Sequence, residues 1–141
     1  VDRKKDIIVT AGGKNVAPQP IESHLKQSPF VDTAVLIGDQ RPYIVALVSP
    51  SFDELERWAQ GRRLDYADLE DLVGLPATRE LYADIVETAN ASLARYEQVK
   101  RFRVLPLTLS IEGGHLTPTL KVKRRVVAEQ FAELIEELYA S

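Results

Sequence analysis

The sequence predicts an α+β domain, with a small β-hairpin at its start and a central sheet of about three strands flanked by helices. Three observations predict it. Short β-branched runs occur in pairs around turn residues, and amphipathic helical stripes lie between and after those pairs. A length of 141 residues with 45% hydrophobic and 28% charged content suits one globular domain and is far from the composition of a disordered chain.

Each element follows from its residues. The run Ile7-Ile8-Val9-Thr10 ends at Ala11-Gly12-Gly13 and Val16 resumes, which predicts a small hairpin. Pro18 and Pro20 end the strand, and Pro20, with its preset φ, is read as the first residue of a helix to about Gln27 that buries Ile21 and Leu25. Val31 to Ile37 and Tyr43 to Ser49 flank Gly38-Asp39-Gln40-Arg41-Pro42 and predict an antiparallel pair. Ser51-Phe52-Asp53-Glu54 has capping-box spacing and opens a helix to about Gln60. The stretch from Gly61 to Pro76 is polar and irregular, with one helical turn around Ala67 to Leu72. Leu81, Ile85, Val86, Ala89 and Leu93 form one helical stripe, and Val99 to Leu105 reads as a strand. Gly113, Gly114 and Pro118 mark an exposed loop over Ser110 to Leu120. Val126, Val127, Phe131, Leu134, Ile135 and Leu138 predict a single closing helix.

The composition excludes several classes of function. Without cysteine there is no disulfide scaffold, thiol nucleophile or Cys-based zinc site. The chain opens Val1-Asp2-Arg3 and contains no Met, so it is expected to be processed or a piece of something longer. No apolar run approaches the roughly 18 residues of a membrane span and no leader opens the chain, so a soluble, cytoplasmic protein is expected. The sequon Asn90-Ala91-Ser92 sits inside a helical pattern and reads as chance. His24, on a helix surface, and His115, in a loop, have no acidic pair at ligand spacing, so no metal site is expected. Gly12-Gly13-Lys14 fails as a P-loop because Ile8 and Asn15 occupy the positions that need Gly and Ser or Thr.

The formal charge of −3 hides an uneven distribution. Lys100, Arg101, Arg103, Lys121, Lys123, Arg124 and Arg125 face only Glu112 in the late segment, while the chain on either side is acidic. Cations at the start of the closing helix oppose its macrodipole, a local cost that points to an external anion. Asp2-Arg3-Lys4-Lys5-Asp6, running into the Gly-Gly turn, is the other unusual cluster, and its plain reading is a solvated linker. Basic residues are not interleaved with aromatic ones, which disfavours a nucleic-acid partner.

Two stretches carry a family resemblance. Val1-Asp2-Arg3-Lys4-Lys5-Asp6-Ile7-Ile8, followed by Gly12-Gly13-Lys14-Asn15-Val16-Ala17-Pro18 and Ile21-Glu22, resembles the hinge motif that opens the C-terminal domain of adenylate-forming (AMP-binding) enzymes. Leu116-Thr117-Pro118-Thr119-Leu120-Lys121-Val122-Lys123-Arg124 resembles their catalytic-lysine loop in its long-chain acyl-CoA synthetase form. The resemblance implies a hinge over residues 1–6, joined to an N-terminal adenylation domain outside this sequence, and a single C-terminal domain over 7–141.

It further implies a two-step reaction in which a fatty acid carboxylate attacks the α-phosphate of ATP and the CoA thiol then displaces AMP after the small domain rotates. Lys121 would be the catalytic lysine that reaches carboxylate and phosphate oxygens, Lys5 the hinge, Arg3 a nucleotide-binding cation, and Gly12, Gly13 and Lys14 the loop facing CoA. ATP, Mg2+ and CoA are implied for the full enzyme. None is expected on this chain alone, because the phosphate loop, magnesium site and acid tunnel belong to the N-terminal domain. No transmembrane segment is implied, although peripheral membrane association of the full enzyme fits the family. Many members have Gly before the lysine where this chain has Leu120, which favours the long-chain branch. Lys123 is a second candidate, but the register with Thr117, Thr119 and Arg124 favours Lys121. The alternatives are a fatty acyl-AMP ligase or another acid-thiol ligase of the superfamily and, from a different class, an anion- or nucleic-acid-binding module.

Overall fold

The computed structural model describes residues 6–140. Strand β1 (Ile8–Val9) pairs antiparallel with β2 (Asn15–Val16), forming the expected hairpin around the Gly-Gly turn. Helix α1 (Pro18–Leu25) follows immediately. It starts two residues before the expected Pro20, because Pro18, lacking an N–H, already satisfies the first-turn requirement with Ala17 extended before it.

The central sheet has three strands in the order β3 (Val31–Ile37), β4 (Ile44–Pro50), β5 (Val99–Val104). β3 and β4 are antiparallel, whereas β5 joins β4 in parallel after a helical crossover. That crossover holds α2 (Phe52–Gly61), α3 (Leu69–Gly74) and α4 (Pro76–Asn90). All seven residues of the middle strand β4 are buried, since both faces of the sheet are covered, which explains its unbroken apolar run.

The two faces alternate in the sequence. Ala34, Leu36, Ile44, Ala46 and Val48 join Ile21, Leu25, Leu55, Tyr82 and Val86 in a core beneath α1, α2 and α4. Val35, Ile37, Val45 and Leu47 face α5 (Arg124–Gln130) and α6 (Ala132–Tyr139) through Val127, Ile135 and Leu138.

Several local expectations are corrected. Ser51 is the N-cap of α2 but accepts no capping hydrogen bond, and the Glu54 carboxylate pairs with Arg57 at 2.9 Å, so the capping box is absent. The cap forms instead at α3, where Asp68 accepts the Asp71 N–H at 2.8 Å. Leu93 lies beyond the end of α4. The single closing helix is two helices that meet at Phe131 (φ −108°, ψ 29°), whose ring packs 6.1 Å from that of His115. Asn90, the sequon residue, uses its side-chain amide as a strand partner: Nδ2 donates to the Val99 carbonyl at 2.9 Å and Oδ1 accepts the Val99 N–H at 2.8 Å. No helix among the described residues is long and apolar enough to cross a membrane.

Candidate functional site

The residues between β5 and α5 form a tight loop that presents Lys121. Leu116 and Val122 bridge in antiparallel fashion. Inside the bridge, the Thr117 N–H donates to the Lys121 carbonyl at 2.8 Å and the Lys121 N–H to Thr117 Oγ1 at 3.0 Å. The Leu120 N–H donates to the Thr117 carbonyl at 2.8 Å, and the hydroxyls of Thr117 and Thr119 lie 3.0 Å apart. The turn therefore closes on its own threonines and holds the Lys121 backbone while its side chain stands exposed.

The closure imposes φ +65° on Leu120, a left-handed conformation that favours glycine. Leu120 is 62% exposed, so its side chain contributes little packing in return.

His115 anchors the base of this loop. The sequence reading places it simply in a loop; in the structure it is buried. Its Nδ1 accepts the Ser110 N–H at 3.0 Å, and its carbonyl accepts the Lys123 N–H at 2.8 Å. Gly113 fits against the ring so closely that a Cβ there would fall 2.5 Å from His115 Cε1. His24 is exposed on α1 as expected. Among the described residues, no group of three or more His, Cys, Asp or Glu is placed to hold a metal ion.

Immediately after the loop, Arg124 turns inward. Its Nε and Nη2 donate to the two Asp6 oxygens at 3.2 and 2.8 Å. Its Nη1 donates to Glu22 Oε2 and, at 3.0 Å, to the Leu36 carbonyl, and Nη2 also reaches Glu22 Oε1 at 3.4 Å. All five guanidinium donors are thus engaged. Glu22 in turn accepts the Leu36 N–H at 2.8 Å, tying α1 to β3.

Burial pushes the Glu22 carboxyl above its ordinary pKa, outweighing the hydrogen bond and charge of Arg124 and the Leu36 N–H, and the nearby Asp6 carboxylate adds to the rise. Burial also works against the charge on Arg124, but its hydrogen bonds to Asp6 and Glu22 and their negative charges outweigh it and hold that pKa above its ordinary value. The anion that the helix-start cations call for is here internal. The sequence reading missed this cluster. The available signal was Glu22 itself, a carboxylate between Ile21 and Leu25 on the buried side of α1 that requires a cation.

Other late cations are also committed within the domain. Arg103 pairs with Glu137 at 3.0 Å, and Arg101 donates to the carbonyls of Leu138 and Ala140 at the C-terminus of α6. Lys121, like Lys100, Lys123 and Arg125, is exposed and has no carboxylate partner among the described residues, but of these four it is the one that lines a cavity of about 160 Å³, together with Asp6, Glu22, Lys26 and Arg124. Lys123, the second candidate, is instead the N-cap residue of α5.

The Gly12-Gly13-Lys14 turn lies at the tip of the hairpin. Gly13 has φ +85°, and the Lys14 N–H donates to Thr10 Oγ1 at 3.2 Å. A Cβ at either glycine would meet nothing within 4 Å, so Gly13 is required by its conformation while the space above the turn stays open. Hydrogen bonds from the Ala11 N–H to the Arg41 carbonyl and from the Gln40 N–H to the Val9 carbonyl, both 2.8 Å, pin the hairpin to the β3–β4 loop. The Lys14 ammonium lies 5.4 Å from the centre of the half-exposed Tyr96 ring. No hydrogen bond joins this turn to the Lys121 loop among the described residues; the Asp6–Arg124 pair links the chain entering the hairpin to the end of that loop. Lys5 and Arg3 lie outside the described residues.

Comparison with known proteins gives the family of the fold. The family model for the AMP-binding enzyme C-terminal domain matches residues 5–141. The long-chain-fatty-acid–CoA ligase FadD15 of Mycobacterium tuberculosis is 44% identical over 141 residues, covering 97% of this chain and 23% of that protein. The human long-chain-fatty-acid–CoA ligase 6 is 35% identical, covering 99% of this chain and 20% of that protein. The chain thus spans about a quarter or less of the curated relatives it matches. Among solved structures, the adenylation domain of a carboxylate reductase from Mycobacterium chelonae superposes with a TM-score of 0.77 at 29% identity, covering 99% of this chain and 20% of that one. The corresponding domain of the Segniliparus rugosus carboxylic acid reductase, solved with AMP and a co-purified carboxylic acid, gives 0.73 at 27% identity, covering 99% of this chain and 20% of that one. With the hairpin, the three-stranded sheet and the lysine loop in this order, the chain belongs to the family of AMP-binding enzyme C-terminal domains.

Proposed function

We propose that this chain is the mobile C-terminal domain of a cytoplasmic long-chain fatty acid–CoA ligase and that Lys121 is its catalytic lysine. The observation that carries this reading is a contrast across three residues: Arg124, at the start of α5, has every donor engaged by the domain itself, while Lys121 is exposed and unpaired among the described residues, on a turn closed by Thr117 and beside a cavity that Lys123 does not line. An ammonium held on a closed turn can be brought to an anion supplied by another domain and then withdrawn.

In the proposed first half-reaction a fatty acid carboxylate oxygen bonds to the α-phosphorus of ATP and the bond to pyrophosphate breaks. Lys121 offsets the charge gathered on carboxylate and phosphate oxygens. In the second, the CoA sulfur bonds to the acyl carbon, AMP leaves, and the thiol proton is released. Lys5 serves as the hinge and Arg3 contacts the nucleotide. The open Gly12-Gly13-Lys14 turn faces CoA, where a backbone without side chains allows close approach. The partner is the enzyme's own N-terminal adenylation domain, which holds ATP, Mg2+ and the fatty acid.

The test is Lys121→Ala in the full-length enzyme. ATP–pyrophosphate exchange should fall by about a hundredfold or more, the scale of removing one preorganised charge from a transition state. Thioester formation from preformed acyl-adenylate should be largely retained, and equal loss of both half-reactions removes Lys121 from this role. The chain alone should show no exchange. A second reading, an adenylating enzyme whose acceptor is not CoA, is favoured by the likeness to carboxylate reductase adenylation domains. Release of AMP that does not depend on CoA selects it.

A further inference from the structure

We propose that Arg124 clamps the entering chain at Asp6, so that residue 6 and the Lys121 loop turn as one rigid piece; Asp6 and Arg124 are then positioning residues for Lys121. The inference rests on Lys121 and Lys5 having the roles proposed above. Asp6 directly follows Lys5 in the chain, and Arg124 follows Lys121 by three residues.

The contacts define where the rigid body begins. Nε and Nη2 of Arg124 grip both Asp6 oxygens as a planar fork, which fixes orientation as well as distance. The remaining donors fasten the same guanidinium to Glu22 in α1 and to the Leu36 carbonyl in β3. Gln19 Nε2 adds a contact to Asp6 at 3.2 Å. Ladder pairing of the hairpin starts only at Ile8, so without the fork the single Gln19 contact is all that stands between a torsional change at residue 5 and the paired strand.

The fork stops it at residue 6 and ties that point to the segment that ends the lysine loop. A lysine displaced by about 1 Å loses on the order of a hundredfold in rate, so the point at which rotation stops matters to the first half-reaction. The hairpin is held to the β3–β4 loop by its own backbone hydrogen bonds, which do not involve Arg124. The second half-reaction should therefore be spared.

The experiment compares Asp6→Ala, Asp6→Asn and Lys121→Ala in the full-length enzyme, following both half-reactions and thermal unfolding. Asp6→Ala should lower kcat for ATP–pyrophosphate exchange by about tenfold while KM for ATP and the rate from preformed acyl-adenylate stay within about threefold, a split that general loss of structure would not produce. Asp6→Asn, which keeps the shape but not the charge, should fall between Asp6→Ala and the native enzyme. Arg124→Lys should resemble Asp6→Ala, because an ammonium cannot reproduce the fork. If Lys121→Ala is selective for adenylation and both Asp6 variants are not, the clamp is wrong and the assignment of Lys121 stands. If Lys121→Ala is not selective, both fall. If the Asp6 variants lower the two half-reactions equally along with the melting temperature, the cluster is structural only and the clamp is overturned.

Discussion

Arg124 and Asp6, 118 positions apart in the chain, meet through two parallel N–H···O contacts of 3.2 and 2.8 Å. Their side chains are 16% and 29% exposed, and Glu22, on the other side of the guanidinium, is 7% exposed. This is a largely buried ionic cluster with two carboxylates for one cation, and removing the cation is the worst change it can suffer.

Arg124→Ala should accordingly destabilise the domain by about 3–5 kcal/mol, the range for stranding buried charge. Urea unfolding of the variant against the native chain measures it. Adding Glu22→Gln to Arg124→Ala should recover part of the loss, since one of the stranded carboxylates is then neutral. A loss under about 1 kcal/mol would mean that the cluster is solvated as a surface ion pair is.

The raised pKa of Glu22 has a pH signature. A group whose folded pKa lies above its unfolded value contributes stability that is complete below the unfolded pKa and lost as pH rises through the folded one. The stability difference between the native chain and Glu22→Gln should therefore shift against the native chain from acid pH toward neutrality. Thermal melts of both proteins across that window report it. A shift in the opposite direction would show that Arg124 outweighs the burial of Glu22.

Asn90→Asp replaces the Nδ2 donor facing the Val99 carbonyl with an oxygen, while Oδ1 could still accept the Val99 N–H. An acceptor facing an acceptor, partly buried, should cost about 1–3 kcal/mol. Because this amide caps the first residue of β5, amide hydrogen exchange should quicken along Val99–Val104 ahead of β3 and β4.

Leu120→Gly sets two effects against each other. Removing a left-handed leucine relieves about 1–2 kcal/mol, and the added freedom of glycine in the unfolded chain returns about 0.5–1 kcal/mol. With Leu120 exposed there is no burial to lose, so stability should rise slightly or stay unchanged. Leu120→Val, β-branched at a positive φ, should be clearly destabilising, and parallel melts of the two variants distinguish strain from side-chain contact.

Much of this fold was legible because it depends on neighbours in the chain. The β-branched, apolar run from Val31 to Ile37, the helical stripe through Leu81 to Ala89 and the Gly-Gly turn are local patterns that hydrophobic burial and backbone sterics translate directly into elements. Signals that rest on competition were less secure. The capping box at Ser51 lost Glu54 to Arg57 three residues on, and Pro18 rather than Pro20 began α1.

The sequence by itself determined the α+β class, the placement of Lys121 on a turn of polar hydroxyl residues, and the family, since each is written in contiguous residues. Only the tertiary structure decided that β5 lies parallel to β4, that His115 is buried beneath the lysine loop, and which of the late cations remain available. The reason is that charge pairing ignores chain distance. Arg124 and Lys121 belong to one basic run, yet folding brings Asp6 and Glu22 to the first of them, and its charge is spent inside the domain while Lys121 stands at the surface.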